Sequence, residues 1–260
     1  RQAVSWGNGL IYTPMDFFNP FDPAALDKEY KTGDDMLYSQ YSFDNGNDLQ
    51  AVWVGRRDDE GNRNQQVTSL ALKYHLFFND SEIDLLAARH FDQASIGLGG
   101  LTSIGGSIWR GDIVGTDADG QTYVSAVLNA SYSWIGWAKN MSGFVEIYRN
   151  GFGIDNGDYS LPGLHTHEEL LKRIKRGELY TLGKHYLSAA ATVELTPLWL
   201  LTSTLFNNLD DGSNLFQLVS QHNLAQNQQL LVAVNLAGGD AGSEYGEVDD
   251  SLFAQLGWFF

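Results

Sequence analysis

Three observations on this 260-residue chain predict an all-β fold: segments of about ten residues alternate polar and apolar side chains, turn residues separate the segments, and the longer connections fall at one end. Alternation with a period of two places polar and apolar side chains on opposite faces of a strand. This combination is typical of a transmembrane antiparallel β-barrel. We therefore predict a single barrel domain over residues 1–260, with about fourteen strands.

Each strand is expected where alternation is clearest. The expected strands lie near 1–8, 34–43, 48–57, 65–78, 82–91, 95–104, 107–116, 121–134, 141–151, 182–195, 198–209, 214–225, 228–238 and 251–260. Within 121–134, Val124 and Leu128 share one face, while Ser125 and Asn129 share the other. The apolar face is expected to contact lipid. The alternation leaves open whether further strands precede residue 1.

The connections between these strands separate into two groups. One end of the barrel is expected to carry only short turns, at 44–47, 79–81, 105–106, 135–140, 196–197 and 225–227. The opposite end is expected to carry 11–33, 58–64, 92–94, 117–120, 152–181, 210–213 and 239–250. A soluble sandwich has no reason to place its long loops at one end, whereas a transmembrane barrel does.

The last nine residues form an apolar stripe that includes Leu252, Leu256 and Trp258 and finishes at Phe259-Phe260. This ending resembles the closing strand of bacterial outer-membrane β-barrels. With the loop asymmetry, the chain resembles Gram-negative outer-membrane porin-like channels and, more loosely, alginate-export barrels. The segments Ser5-Trp6-Gly7, Asn19-Pro20-Phe21-Asp22-Pro23 and Asn208-Leu209-Asp210-Asp211-Gly212-Ser213 are similar to signatures of a large proteobacterial group of outer-membrane proteins.

That resemblance implies a location in the bacterial outer membrane. It implies contact with outer-membrane lipid and lipopolysaccharide, and assembly by the barrel assembly machinery, which reads the terminal aromatic residue. A homo-oligomer and a periplasmic partner protein both stay open.

Composition and motifs exclude several kinds of partner, metal site and enzyme activity. The formal charge of −16 argues against nucleic acid as a partner, and the absence of cysteine excludes disulfides and thiolate metal sites. The His167-Glu168 pair lacks the second histidine of a zinc-protease motif, and Asp117 to Gly120 is too short for a calcium loop. The glycines at 97–100 are not followed by a helix and are expected to allow curvature. No enzyme activity, cofactor or metal is predicted.

Charged residues inside strands are the candidate pore-lining residues, because a charge that faces lipid is costly. They are Arg56, Lys73, His75, Asp84, His90, Arg110, Asp112, Glu146, Lys184 and Glu194. Two interpretations stay open: a closed interior of ion pairs, or a water-filled channel with a field across it.

The loop 12–23 is too apolar to remain in water and holds three of the five prolines of the chain. Its candidate constriction residues are Pro14, Phe17, Phe18, Pro20, Phe21 and Pro23. The alternatives are a constriction folded into the lumen, a cap on the barrel mouth, or a surface that packs on a neighbouring chain.

Two other loops carry distinctive residues. One short helix is expected near 167–176, with Thr166 and Glu169 as a capping box and Gly177 as its end. Its basic end either complements the helix dipole or forms an anion-attracting patch. The acidic residues of 239–250, among them Glu244, are expected to be a solvated surface or to share divalent cations with lipopolysaccharide.

The function predicted from the sequence is an outer-membrane channel for passive or substrate-selective passage of small polar solutes or ions. Because the chain is strongly acidic, modest cation selectivity is expected. The alternatives are an exopolysaccharide export conduit, which needs a basic lumen, and a structural barrel that docks a partner protein.

Overall fold

One antiparallel sheet of thirteen strands, joined in sequence order, makes up the fold. The computed structural model describes residues 2–26, 31, 33–58, 60–62, 64 and 66–259. The strands are β1 Met36–Ser42, β2 Asp48–Val54, β3 Ser69–Phe78, β4 Ser81–His90, β5 Gln93–Ile104, β6 Ser107–Ala118, β7 Gln121–Gly136, β8 Lys139–Arg149, β9 His185–Thr196, β10 Trp199–Asn208, β11 Asn214–Ala225, β12 Gln228–Gly238 and β13 Ser251–Trp258.

Thirteen of the expected strands are present, but the one expected at 1–8 is not a strand. Within residues 2–8, the one backbone bridge is the isolated pair of Gln2 and Asp34, and Asp34 precedes β1. Within the described ranges, β1 and β13 are each paired on one side only, so the sheet is not closed. The terminal Phe260, expected to act as an assembly signal, lies outside the described residues.

Two short helices, α1 Leu161–His165 and α2 Glu168–Arg176, interrupt the long connection between β8 and β9. α2 coincides with the expected helix, and Gly177 ends it in the left-handed conformation with φ 69°. The expected capping box is wrong: Thr166 closes α1, and His167 precedes α2 without a side-chain cap. α1 was not expected. No helix in the described residues combines the length and the hydrophobicity that a membrane span requires.

The two faces of the sheet differ in chemistry. We call the face that contacts residues 2–26 the inner face and the opposite face the outer face. In β7 the outer Val124 and Leu128 are exposed, whereas the inner Ser125 and Asn129 are buried. The faces therefore alternate as the period-two pattern predicts.

The outer face is a continuous apolar surface. Its exposed residues include Leu72, Leu85, Ile96, Leu98, Ile113, Leu128, Val145 and Ile147. The charged strand residues that point outward are Arg89, Asp117, Lys139 and Arg149. Each of them is the first, last or next-to-last residue of its strand. The middle of the outer face is thus free of charge across the described strands.

Connection lengths separate as expected. The connections 43–47, 79–80, 105–106, 137–138, 197–198 and 226–227 share one end of the sheet. The long connections 55–68, 150–184 and 239–250 share the other end with the short ones at 91–92, 119–120 and 209–213. Most of the exposed aromatic residues lie at the short-turn end, among them Tyr41, Phe43, Phe78, Trp109, Tyr132, Trp134, Trp137, Trp199, Trp258 and Phe259.

Residues 2–26, which we call the N-terminal segment, cross the inner face and supply much of the buried core. Trp6, Met15 and Phe18 pack with Val52 and Val54 of β2 in one cluster. Ile11 and Tyr12 join a second cluster with side chains of β7 to β11: Val127, Tyr148, Tyr186, Phe206 and Leu215. The segment therefore connects distant parts of the sheet from its inner side.

Candidate functional site: the filled interior

Buried carboxylates on alternate strands hold the N-terminal segment. The backbone N–H groups of Leu10, Ile11 and Tyr12 all donate to the Glu146 carboxylate of β8, over 2.6, 3.0 and 2.8 Å. Asn129 of β7 donates to Glu146 as well, over 3.0 Å. These bonds satisfy backbone groups that have no strand partner, and they compensate Glu146 for its complete burial.

Asp112 of β6 makes a similar contact with the N-terminal segment at Asn8, two residues before Leu10. The backbone N–H of Asn8 donates to Asp112 Oδ2 over 2.6 Å, and the Asn8 side chain donates to Oδ1 over 2.8 Å. The same Asn8 amide lies 3.4 Å from Asp84 Oδ2 on β4. One asparagine of the segment therefore connects two carboxylates that are separated by β5.

Glycines of β5 provide the space for this contact. A Cβ at Gly99 would lie 2.2 Å from Asp112 Oδ1 and 2.9 Å from Asn8 Nδ2. A Cβ at Gly97 would lie 3.2 Å from the Met15 side chain. These two glycines were expected to allow curvature, and the structure gives them a second role: each leaves room for the N-terminal segment.

A second polar cluster surrounds Asp84. Lys73 Nζ lies 3.1 Å from Asp84 Oδ1, and His75 Nδ1 lies 2.9 Å from the same oxygen. His90 bridges Ser69 on β3, over 2.9 Å, and Glu178 of the long connection, over 3.1 Å. Because these groups are partnered and largely buried, this part of the interior consists of ion pairs and hydrogen bonds.

Four candidate pore-lining residues lie apart from that network. Arg56 follows the end of β2 and pairs with Asp34 over 2.6 Å. Lys184 precedes β9 and pairs with the exposed Asp155 over 2.8 Å. Glu194 lies near the short-turn end of β9 and accepts a hydrogen bond from Asn140 over 2.7 Å. Arg110 of β6 faces a separate cavity at that end.

The candidate constriction residues lie on the inner side of the sheet. Phe18 is 1% exposed and packs edge-on against Trp6, and Phe17 lies 5.6 Å from the ring of His90. Pro14, Pro20, Phe21 and Pro23 line a cavity of about 80 Å³ under the long connection. The segment therefore lies against the inner face of the sheet and is largely shielded from water there.

Asp16 is the buried carboxylate of the segment. Lys31 pairs with its Oδ2 over 2.5 Å, and its Oδ1 has no hydrogen-bond partner among the described residues. Burial raises the pKa of Asp16 to about 6, against the opposing effect of Lys31.

α2 borders the cavity of about 80 Å³ through Arg173, and the same residue attaches the helix to the sheet. The guanidinium pairs with Glu169 over 2.7 Å, donates to Gln93 of β5 and lies 3.5 Å above the Phe152 ring. Burial opposes ionisation of Glu169, but hydrogen bonds from Lys172, Arg173 and Gln93 outweigh it and lower its pKa to about 2. Arg173, at the basic end of α2, thus attaches the helix to the sheet.

Glu244 departs from the expected solvated acidic surface. It is held in the loop 239–250 by hydrogen bonds from the Leu182 N–H, the Tyr186 hydroxyl and the Asn208 amide, over 2.7, 2.5 and 2.7 Å. Burial raises the pKa of Glu244. This role was not predictable from the sequence, because Glu244 lies among other acidic residues of the loop and nothing local distinguishes it from them.

The buried carboxylates of the interior can accept hydrogen bonds from polar groups, and Asp112 and Glu146 accept them from the N-terminal segment. Among the described residues, no group of three or more His, Asp or Glu side chains is placed to hold a metal ion. No family model, curated protein or solved structure matches the chain.

Proposed function

We propose that the protein spans the bacterial outer membrane as a β-barrel and acts as a channel for small polar solutes or ions. The observation that carries this proposal is the outer face, which is apolar and exposed and has its charges only at strand ends. Exposed apolar surface of this extent is rare on soluble monomers. A charge at the middle of a bilayer costs about 2–4 kcal/mol, which explains a charge-free middle.

The aromatic residues at the short-turn end support the same orientation. Transmembrane barrels carry aromatic girdles at the membrane interfaces and short turns on the periplasmic side. The exposed Trp134, Trp137 and Trp199 lie at that end of the sheet. The long connections would then face the lipopolysaccharide leaflet.

A bilayer also requires that strand edges be paired. Every one of the pairings between neighbouring strands is antiparallel, so β1 and β13 run in the same direction. Direct closure of this sheet would therefore pair β1 with β13 in parallel. The structure has an open sheet, and we propose that this sheet closes into a barrel in the membrane.

The N-terminal segment determines what such a channel conducts. Because it fills the interior beside β2 to β8 and is fixed by Asp112 and Glu146, it restricts passage to small solutes. Acidic groups dominate the buried contacts of the segment, which disfavours the alternative of an export conduit for an acidic polysaccharide.

Planar-bilayer recording tests the proposal. The intact chain should give small conductance steps, and deletion of residues 14–22 should enlarge them because it removes Phe17, Phe18 and Phe21 from the interior. Circular dichroism of both proteins in detergent controls for the fold. An unchanged conductance, with the β signal retained, would place the segment outside the path.

Absence of any conductance from both proteins would contradict the channel. The filled interior then favours the second candidate, a structural barrel that docks a partner protein. Retention of a periplasmic protein by the immobilised full chain, with no conductance, is the result that would distinguish it.

A further inference from the structure

Below the N-terminal segment, at the short-turn end, the inner face borders a cavity of about 520 Å³, which we call the vestibule. Leu10, Ile11 and Pro23 of the N-terminal segment line it. This volume lies within the range of ordinary small-molecule sites.

Six serine and threonine hydroxyl groups line the vestibule, beside apolar side chains such as Ile108, Phe144 and Phe206. The six hydroxyl groups belong to Ser131 and Ser133 of β7, Ser142 of β8, Thr192 of β9, and Thr202 and Thr204 of β10. The hydroxyl groups of Thr192 and Thr202 form a hydrogen bond with each other over 3.0 Å. The side chain of Ser133 is exposed. Such a wall offers both donors and acceptors to a ligand that carries hydroxyl groups.

Arg110 is the one charged residue that lines the vestibule in the described part of the chain. Its Nη1 donates to Ser131 Oγ over 2.9 Å. No carboxylate of a described residue lies within ion-pair distance of its guanidinium, in contrast to Arg56 and Arg173. A guanidinium carries five N–H donors in a fork that matches a carboxylate, so Arg110 retains the capacity for a charged ligand.

The nearby carboxylates do not supply that partner. Glu146 lies across Asn129 from Arg110 in the strand register, and both its oxygens are occupied by the N-terminal segment and Asn129. Glu194 lies four residues beyond Ala190 on β9, toward the short turns, and bonds to Asn140. The local charge of the vestibule is thus opposite to the net charge of the chain, on which the expected cation selectivity was based.

We infer that the vestibule binds a small hydroxy acid, whose carboxylate pairs with Arg110 and whose hydroxyl groups bond to the serine and threonine side chains. This inference rests on the proposed function and specifies a substrate class for it. Arg110 holds the charged end of the ligand, and Ser131 fixes the guanidinium toward the cavity.

Calorimetric titration of the full chain in detergent tests this, with glycerate as the probe. Glycerate should bind to the native protein, and Arg110→Gln should weaken binding about 10- to 100-fold, the loss expected for charge-assisted hydrogen bonds. Arg110→Lys should give an intermediate loss because it keeps the charge without the fork. Arg149→Gln removes the same charge from the outer face and should leave binding unchanged.

Two further probes separate the parts of the inference. Glycerol has the hydroxyl groups without the charge, and phosphate has the charge without the carbon-bound hydroxyl groups; both should bind at least tenfold more weakly than glycerate. Equal binding of either probe, equal binding by Arg110→Gln, or no glycerate binding at all overturns the assignment. Circular dichroism verifies that each variant folds, and Arg110→Lys serves if Arg110→Gln does not.

Binding and conductance fail independently. A chain that conducts without binding glycerate refutes the hydroxy-acid site and leaves the channel. Glycerate binding that depends on Arg110, in a chain that never conducts, leaves the site and refutes the channel.

Discussion

Glu146 and Tyr12 lie 134 positions apart in the chain and are joined by a 2.8 Å hydrogen bond from the Tyr12 backbone N–H to the Glu146 carboxylate. The Tyr12 ring stacks on Tyr148, two residues after Glu146, with the ring centroids 4.6 Å apart. Residues 10–12 are thus held to β8 by hydrogen bonds to the Glu146 carboxylate and by an aromatic contact. Through this attachment the apolar N-terminal segment packs on the inner face of the sheet.

Removal of the Glu146 carboxylate should release the segment. Glu146→Ala leaves the N–H groups of Leu10, Ile11 and Tyr12 without acceptors, at a cost on the order of 3 kcal/mol. Limited digestion with chymotrypsin, which cleaves after aromatic residues, should then cut within residues 2–26 while the strands stay protected. Glu194→Ala is the matched control, because that carboxylate makes no contact with the segment. Equal protection in both variants would show that Glu146 does not hold it.

The space above Gly99 should be required for the same attachment. Gly99→Ala places a methyl group 2.2 Å from Asp112 Oδ1, so Asn8 or Asp112 must shift and their hydrogen bonds weaken. We expect a lower unfolding temperature in detergent and faster cleavage of the segment. Gly115→Ala on β6 is the control, because nothing lies within 4 Å of its added Cβ. If both variants behave alike, strand propensity and not space explains the loss.

The two faces of β7 should respond differently to a charge. Leu128→Arg puts a guanidinium on the outer face and should destabilise or block assembly in lipid by about 2–4 kcal/mol. Ser133→Arg, on the inner face toward the vestibule, should assemble and change the ion selectivity instead. Folding yield in lipid vesicles measures the first effect and reversal potential the second. Similar effects on assembly would mean that the outer face does not contact lipid.

Asp16 should make stability depend on pH in an unusual direction. Its pKa is raised to about 6 in the folded protein, so the folded state binds a proton that the unfolded state releases near pH 4. Its contribution to stability is therefore largest below pH 4 and decreases as the pH rises to about 6, above which it is constant. Asp16→Asn should remove this component from thermal unfolding curves measured between pH 4 and 7.

The exposed Asp22 of the same segment provides the control. Asp22→Asn should keep the pH dependence of the native protein. If Asp16→Asn keeps it too, another group in the interior binds the proton.

Much of the strand pattern was predictable because alternation and turn residues are local properties of the chain. β11 and β12 begin and end at the predicted residues, and the outer and inner faces of β7 are those that the sequence predicts. α2 was predictable from its apolar periodicity and Gly177, although its first turn was not, because α1 uses Thr166 at its own end.

The interior was predictable only in part. Loop 12–23 was recognised as too apolar for water, and the charges of the strands were placed away from lipid. Which polar groups meet could not be predicted: Asp112 and Glu146 accept hydrogen bonds from backbone N–H groups of the segment, whereas Arg110 donates to Ser131 and faces the vestibule. Such partners are set by the path of the segment across several strands.

The sequence by itself determined the strands and their two faces, since a period of two and a turn residue act within a few positions. Only the tertiary structure decided that residues 2–8 are not a strand. Their alternation resembles a strand, but Trp6 is buried among β2 side chains and Asn8 bonds to Asp84 and Asp112. Side chains of distant strands satisfy the backbone there, so the segment gains burial and hydrogen bonds inside the sheet that an edge position would not give.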